Sequence, residues 1–301
     1  EYLALPKLGQ PYSTPGRLTS VDAAMNDPVS MVTLSRGLSQ IDADAPPSVK
    51  IAQLLALHGL KLKPPPPRPF VPRTANDVWN EMLKASVKSE NAGKAPAEWD
   101  KDEPLYRALR LLLYEQAMAQ QAYRQAGGNP ANDEFLSIQK HLRGLIRDKE
   151  PRPEEQRWLI PAAYHQIGAR VNLADMASAM IRLQMATEEA MTDLKKAAGS
   201  TALHSPMEWE TPLGKVRIAG TKDDKHSGNF LLLIDLGGND LYEDVGYSFE
   251  PNILRPGNVT VVIDISGNDT VKWEKVPGPG AGIIGIGVWA DLDGNDRYIG
   301  N

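Results

Sequence analysis

The chain predicts an α+β multidomain molecule, in which an N-terminal helical bundle is followed by a parallel β-solenoid (β-helix-like) of about 27–29-residue repeats. Three observations carry this expectation. The signature Asp-x-x-Gly-Asn-Asp occurs three times, at Asp235–Asp240, Asp264–Asp269 and Asp291–Asp296, at intervals of 29 and 27 residues. Fifteen of the 25 glycines fall in the last 91 of 301 residues. The first two thirds are instead rich in Ala, Leu, Gln and Met, with apolar residues at helical spacing. The shift places a boundary near Ser200–Thr211 and divides the chain into 1–75, 76–205 and 206–301.

Segment 1–75 predicts short helices over Ser20–Met25 and over Ser48–His58, where Val49, Ile51, Leu54, Leu55 and Leu57 form a stripe. Pro64–Pro67, Pro69 and Pro72 dictate an extended, stiff linker. In 76–205, Asp102 and Pro104 open a helix carrying Leu105, Leu109, Leu112 and Leu113, which Gly127-Gly128 ends. Asp133–Arg147 predicts a second helix, and a third follows Pro153. The longest runs from Asn172, with Asp175 three residues on, to Lys196. Its Met176, Met180 and Met191 read as core. His165 reads as a packing residue, and His58, His141, His204 and His226 have no partner at the i, i+4 spacing of a helical zinc site. Glu154-Glu155 and Glu188-Glu189 read as solvated helix faces.

Each repeat is an apolar run (Phe230–Ile234, Val259–Ile263, Ile283–Ala290), a turn and a second short strand. A weaker copy precedes them, where Val216–Gly220 leads to Asp223-Asp224. One unit alone leaves an apolar face and bare strand edges; stacking equivalent strands about 4.8 Å apart covers both. Gly238, Gly267 and Gly294 are expected at positive φ. Gly278, Gly280, Gly282, Gly285 and Gly287 precede a strand, not a helix, so they read as tight packing and not as a phosphate loop.

Stacking also brings carboxylates together. Asp235, Asp240, Asp264, Asp269, Asp291, Asp293 and Asp296 are candidate metal ligands, because like charges at that spacing repel unless neutralised and an oxygen-rich Gly turn suits Ca²⁺. Two other readings stay open: turn-capping Asp and Asn in a metal-free ladder, and a catalytic role for the carboxylates. Gly237-Gly238-Asn239-Asp240-Leu241-Tyr242 resembles the loop of RTX calcium-binding repeats, and the resemblance implies Ca²⁺ at Asp240, Asp269 and Asp296. The nine-residue RTX period and the second loop Gly are missing. The long-period Gly-Asn-Asp-x-Tyr solenoids of bacterial secreted proteins are the nearer likeness.

The composition restricts function. Thirty-three Lys and Arg against 38 Asp and Glu give a net charge of −5, no footprint for nucleic acid. The absence of cysteine excludes disulfides, a thiol nucleophile and Cys-ligated metals. No apolar run reaches the roughly 18 residues of a membrane span. The start at Glu1-Tyr2-Leu3 reads as a mature or excised end, and the pattern reaches Asn301 without a capping unit. A second polypeptide, a C-terminal continuation or an oligomer mate, is therefore expected over 288–301. The expected function is a secreted, periplasmic or cell-surface binding or structural module, with carbohydrate as a candidate partner. The alternative is the N-terminal chain of a processed secreted hydrolase, polysaccharide- or amide-cleaving, with its active site mostly beyond Asn301. Catalytic residues are not identified.

Overall fold

The computed structural model describes residues 38–62, 70, 73–86, 93–126, 172–200, 203, 205–248, 258–274, 278–282 and 285–300. The predicted helices at Ser20–Met25, Asp133–Arg147 and after Pro153, the Pro64–Pro69 run, and His141, His165 and His204 lie outside these residues.

Local chemistry sets the helices. Helix α1 (Pro47–Leu57) occupies the predicted stripe and begins at a proline. Helix α2 (Ala75–Ala85) opens with a reciprocal cap: the Asp77 amide donates to Thr74 Oγ1 at 3.1 Å, and the Thr74 amide donates to the Asp77 carboxylate at 3.0 Å. Helix α3 (Pro104–Ala126) buries Leu105, Leu109, Leu112 and Leu113. Helix α4 (Leu173–Ala198) starts at Asn172, whose side chain accepts the Asp175 amide at 3.1 Å. Helices α2 and α4 pack on α3, and α1 packs on α4. Ser48 fixes the last contact, its amide and hydroxyl donating to the Glu188 carboxylate at 2.6 and 2.8 Å.

The strands are β1 (Met207–Thr211), β2 (Gly214–Ala219), β3 (Lys225–Ser227), β4 (Leu232–Asp235), β5 (Leu241–Glu243), β6 (Asn258–Asp264), β7 (Thr270–Trp273), β8 (Gly285–Asp291) and β9 (Arg297–Gly300). They form a five-stranded sheet, β1-β2-β4-β6-β8, and a four-stranded sheet, β3-β5-β7-β9. Strand β1 is antiparallel to β2, and every other pairing is parallel. The register joins repeat equivalents: Asp235 lies beside Asp264 and Asp264 beside Asp291, while Tyr242 lies beside Val271 and Val271 beside Tyr298.

The larger sheet is apolar on both faces. Leu232 and Ile234 of β4, and Val261 and Ile263 of β6, join a core that also contains Leu109, Leu112, Leu113 and Leu183 of the helices. Between them, Leu233 and Val262 point the other way, into a second cluster with Phe230, Tyr242, Val245 and Val271. Helices thus cover one face and the smaller sheet covers the other. Gln116 of α3 pins the first contact, its Nε2 donating to the buried Leu231 carbonyl at 2.7 Å.

This corrects the expected fold class. The chain is not a helical bundle followed by a parallel β-solenoid of 27–29-residue repeats. Among the described residues, α2, α3 and α4 share one continuous core with a mixed sheet, and α1 packs outside it on α4, which is an α/β-like layering. The expectation of one apolar face per unit fails for the runs Phe230–Ile234 and Val259–Ile263: both faces of these strands are buried, and a run of apolar residues does not say whether a helix or a sheet covers each face. No helix among the described residues is long and apolar enough to cross a membrane.

Candidate metal centre

The signature residues occupy the connections between the two sheets. Asp235, Asp264 and Asp291 end β4, β6 and β8, and Asp240, Asp269 and Asp296 immediately precede β5, β7 and β9. The chain must pass from one sheet to the other within these few residues, so backbone amides that no strand can satisfy point at neighbouring levels. Two side-chain ladders receive them. In the first, the Asp224 amide donates to Asp240 Oδ1 (2.5 Å), the Asp240 amide to Asp269 Oδ1 (2.6 Å) and the Asp269 amide to Asp296 Oδ1 (2.9 Å). The second runs the opposite way: the Asn239 amide donates to Asp223 Oδ1 (2.8 Å), the Asn268 amide to Asn239 Oδ1 (3.1 Å) and the Asn295 amide to Asn268 Oδ1 (2.9 Å). Asp223-Asp224 therefore takes part as the weaker upstream copy.

Close approach between levels explains the turn glycines. A Cβ on Gly238, Gly267 or Gly294 would lie 2.5, 2.0 or 1.7 Å from the carbonyl oxygen of Lys222, Gly238 or Gly267 of the preceding level. The expectation of positive φ holds at Gly238 (138°) and Gly294 (153°) and fails at Gly267. What the three positions share is lack of space.

The strand-end aspartates are held by ring donors. His226 Nε2 lies 2.7 Å from Asp235 Oδ2, the Tyr242 hydroxyl donates to Asp264 Oδ2, and the Tyr298 hydroxyl donates to Asp291 Oδ2 at 2.7 Å. The first two donors come from the preceding level. The place from which Asp291 would be served in the same way holds Val271, which has no donor, and Tyr298 of its own level serves it instead. The other oxygens of Asp235 and Asp264 accept the amides of Gly237 (2.9 Å) and Ser266 (3.0 Å).

Two clusters result. Ligand atoms of Asp240, Asp264 and Asp269 lie within 4.8 Å of one another, as do those of His226, Asp235 and Asp240. All five residues are buried, at 0–2% exposure. Two ionised carboxylates at that distance repel by about 3 kcal/mol at an effective dielectric constant of about 20. Burial, reinforced by Asp235, pushes the Asp240 carboxyl up to about 8. Burial also lifts Asp264 to about 8, against the hydrogen bond from Tyr242 and with the repulsion of Asp269. Asp235 is raised by burial in spite of His226, and Asp291 is raised by burial.

Four of the seven predicted ligands, Asp235, Asp240, Asp264 and Asp269, come together. Asp291 and Asp296 sit at the half-exposed last level and join neither cluster, and Asp293 is exposed, its carbonyl accepting the Gly267 amide at 2.9 Å. The sequence reading missed His226, Tyr242 and Tyr298, whose sequence distances to the aspartates they touch are 9, 22 and 7. No fixed spacing marks them, although the aligned positions of Tyr242 and Tyr298 were a signal.

The residues fit a hard divalent cation. Every carboxylate of the trio Asp240, Asp264 and Asp269 has an oxygen committed to a backbone amide. Asp240 Oδ2 and Asp269 Oδ2 are left buried with no hydrogen-bond partner. A buried carboxylate oxygen without a donor needs a proton or a metal ion. No family model, curated protein or solved structure matches the chain.

Proposed function

We propose that this protein is a secreted or surface-associated structural and binding module whose repeat turns are held by a hard divalent cation, Ca²⁺, at Asp240, Asp264 and Asp269. The observation that carries the reading is the pair of orphaned oxygens, Asp240 Oδ2 and Asp269 Oδ2, buried beside a third carboxylate. Ca²⁺ takes six to eight oxygen ligands, so carboxylates and turn carbonyls together suit it better than a metal requiring few, strictly placed donors. One divalent ion would offset most of the trio's charge and clamp consecutive levels. The cation is structural on this reading, because carboxylates at 1–2% exposure cannot touch a substrate. The calcium-rich exterior of a cell is the compartment in which such a site stays loaded.

The test is calcium binding and thermal melting of the full chain after stripping with EDTA. With free Ca²⁺ at about 100 times its dissociation constant, one site stabilises by about 2.7 kcal/mol. Asp269→Asn keeps the acceptor for the Asp240 amide and should abolish the calcium-dependent gain. Identical melting curves in EDTA and in millimolar Ca²⁺ would overturn the proposal.

A further inference from the structure

We propose that His226, Asp235 and Asp240 form a second, chemically distinct site, which takes a borderline transition-metal ion, Zn²⁺, in place of Ca²⁺. The inference goes beyond the calcium reading and shares only Asp240 with it.

Three observations support it. His226 and Asp235 are fully buried and Asp240 is 2% exposed, with one ligand atom from each inside a 4.8 Å cluster. Their hydrogen bonds leave donor capacity over. His226 Nε2 meets Asp235 Oδ2 at 2.7 Å, Asp235 Oδ1 accepts the Gly237 amide, and Asp240 Oδ1 accepts the Asp224 amide. Asp240 Oδ2 remains buried without a partner inside the cluster, while His226 Nδ1, also unpartnered, lies on the side of the ring away from Asp235 and is not a ligand of this ion. The imidazole is also held in place, stacked on Tyr242 with ring centroids 4.7 Å apart. Burying polar atoms in this state is costly unless something binds them.

The register shows why this level differs from the next. His226 pairs with Tyr242, which pairs with Val271, which pairs with Tyr298. At this position in the repeat, only the first level carries a nitrogen ligand. A neutral imidazole is a poor ligand for Ca²⁺ and a good one for Zn²⁺, which combines His nitrogen with Asp oxygen in four-coordinate sites. One His and two carboxylates supply three ligands, and Zn²⁺ would take the place of the proton between His226 and Asp235. The helical rule for zinc sites could not find this one, because the ligands lie in a strand, at the end of the next strand and in the turn after it.

The experiment uses the full chain, stripped of metal, with Co²⁺ as the spectroscopic probe and Zn²⁺ as its competitor. The expected result is one Co²⁺ per chain with visible d–d absorption, displaced by Zn²⁺, and one paramagnetically shifted imidazole signal among the five histidines in an isotope-labelled sample. His226→Gln should weaken Co²⁺ binding at least tenfold while leaving the calcium-dependent gain in melting temperature in place. Asp269→Asn should do the reverse, so the two proposals fail separately. Wild-type chain that binds no Co²⁺, a His226→Gln chain that binds it normally, or a shifted imidazole that is not His226 would each overturn the assignment. Should His226→Gln not fold, the wild-type imidazole shift decides alone.

Discussion

Glu115 and Asp264 are both buried carboxylates, at 3% and 1% exposure, but their surroundings neutralise them differently. Glu115, on α3, receives the Arg182 guanidinium from α4 in a two-point ion pair, with Nη2 donating to Oε1 at 2.9 Å. Asp264, in the repeat turns, receives one phenol and one amide and faces two further carboxylates. Among the described residues, no Lys or Arg forms an ion pair with Asp240, Asp264 or Asp269. Glu115 therefore has its countercharge within the polypeptide. The turn edge lacks one, and its stability depends on what the solution supplies, protons or metal ions.

The largest effect should come from breaking this self-contained pair. Arg182→Ala leaves Glu115 buried and unpaired, which costs about 3 kcal/mol; Arg182 itself is one-third exposed, so the loss sits at the lower end of the range for such pairs. Chemical denaturation should show this loss equally in EDTA and in Ca²⁺. A loss that disappears on adding Ca²⁺ would mean that the pair and the turn edge are not independent.

Acidity should sharpen the comparison next. Asp240 and Asp264 sit at about 8 in the folded chain and near their ordinary 3.8 when unfolded. Between those limits the folded state holds protons that the unfolded chain has released. Their contribution to stability is fully present below about pH 4 and is lost as pH rises through 8. In EDTA the melting temperature should therefore fall from pH 5 to pH 9. Asp77, Glu81 and Glu243, which partner hydrogen bonds hold below the ordinary carboxylate range, act in the opposite sense, and only at the acid end. Adding Ca²⁺ should flatten the fall, because the ion replaces the protons. Melting series at pH 5, 7 and 9 with and without Ca²⁺ check this, and a flat EDTA series would remove the buried charges from the account.

The same contrast explains what was legible in the sequence. Directional contacts at the turns require the same residue at every level, so Asp-x-x-Gly-Asn-Asp recurs in fixed register and marks Asp240 and Asp269 without a structure. The helices were legible where a stripe or cap is local, as at Leu105–Leu113 and Asn172. Dispersion and burial do not specify partners, so nothing in Leu232 or Leu112 announced that they share a core; this is why the layering was misread. His226 and Tyr242 were illegible for a third reason. Each reaches an aspartate on the next level through a loop of different length, which erases any constant spacing.

The smallest predicted effect tests whether the exposed ladder or the buried carboxylates hold the turns together. Asn268 accepts the Asn295 amide at 2.9 Å and donates through Nδ2 to Asn239 Oδ1 at 3.3 Å, and it is exposed. Water can take over both bonds when the side chain is removed, so Asn268→Ala should cost only about 0.5–1 kcal/mol, the net value of an ordinary hydrogen bond. Its neighbour Asp269 makes a similar amide contact, at 2.9 Å or less on either side, but beneath the surface, where no water replaces it. Comparing Asn268→Ala with Asp269→Ala by urea denaturation therefore sets an exposed rung against a buried one at adjacent positions. The buried rung should cost more in Ca²⁺ than in EDTA, and the exposed rung should cost the same in both. If Asn268→Ala costs more than about 2 kcal/mol, the outer asparagine ladder is what holds successive levels in register, and the buried carboxylates are free to serve ion binding alone.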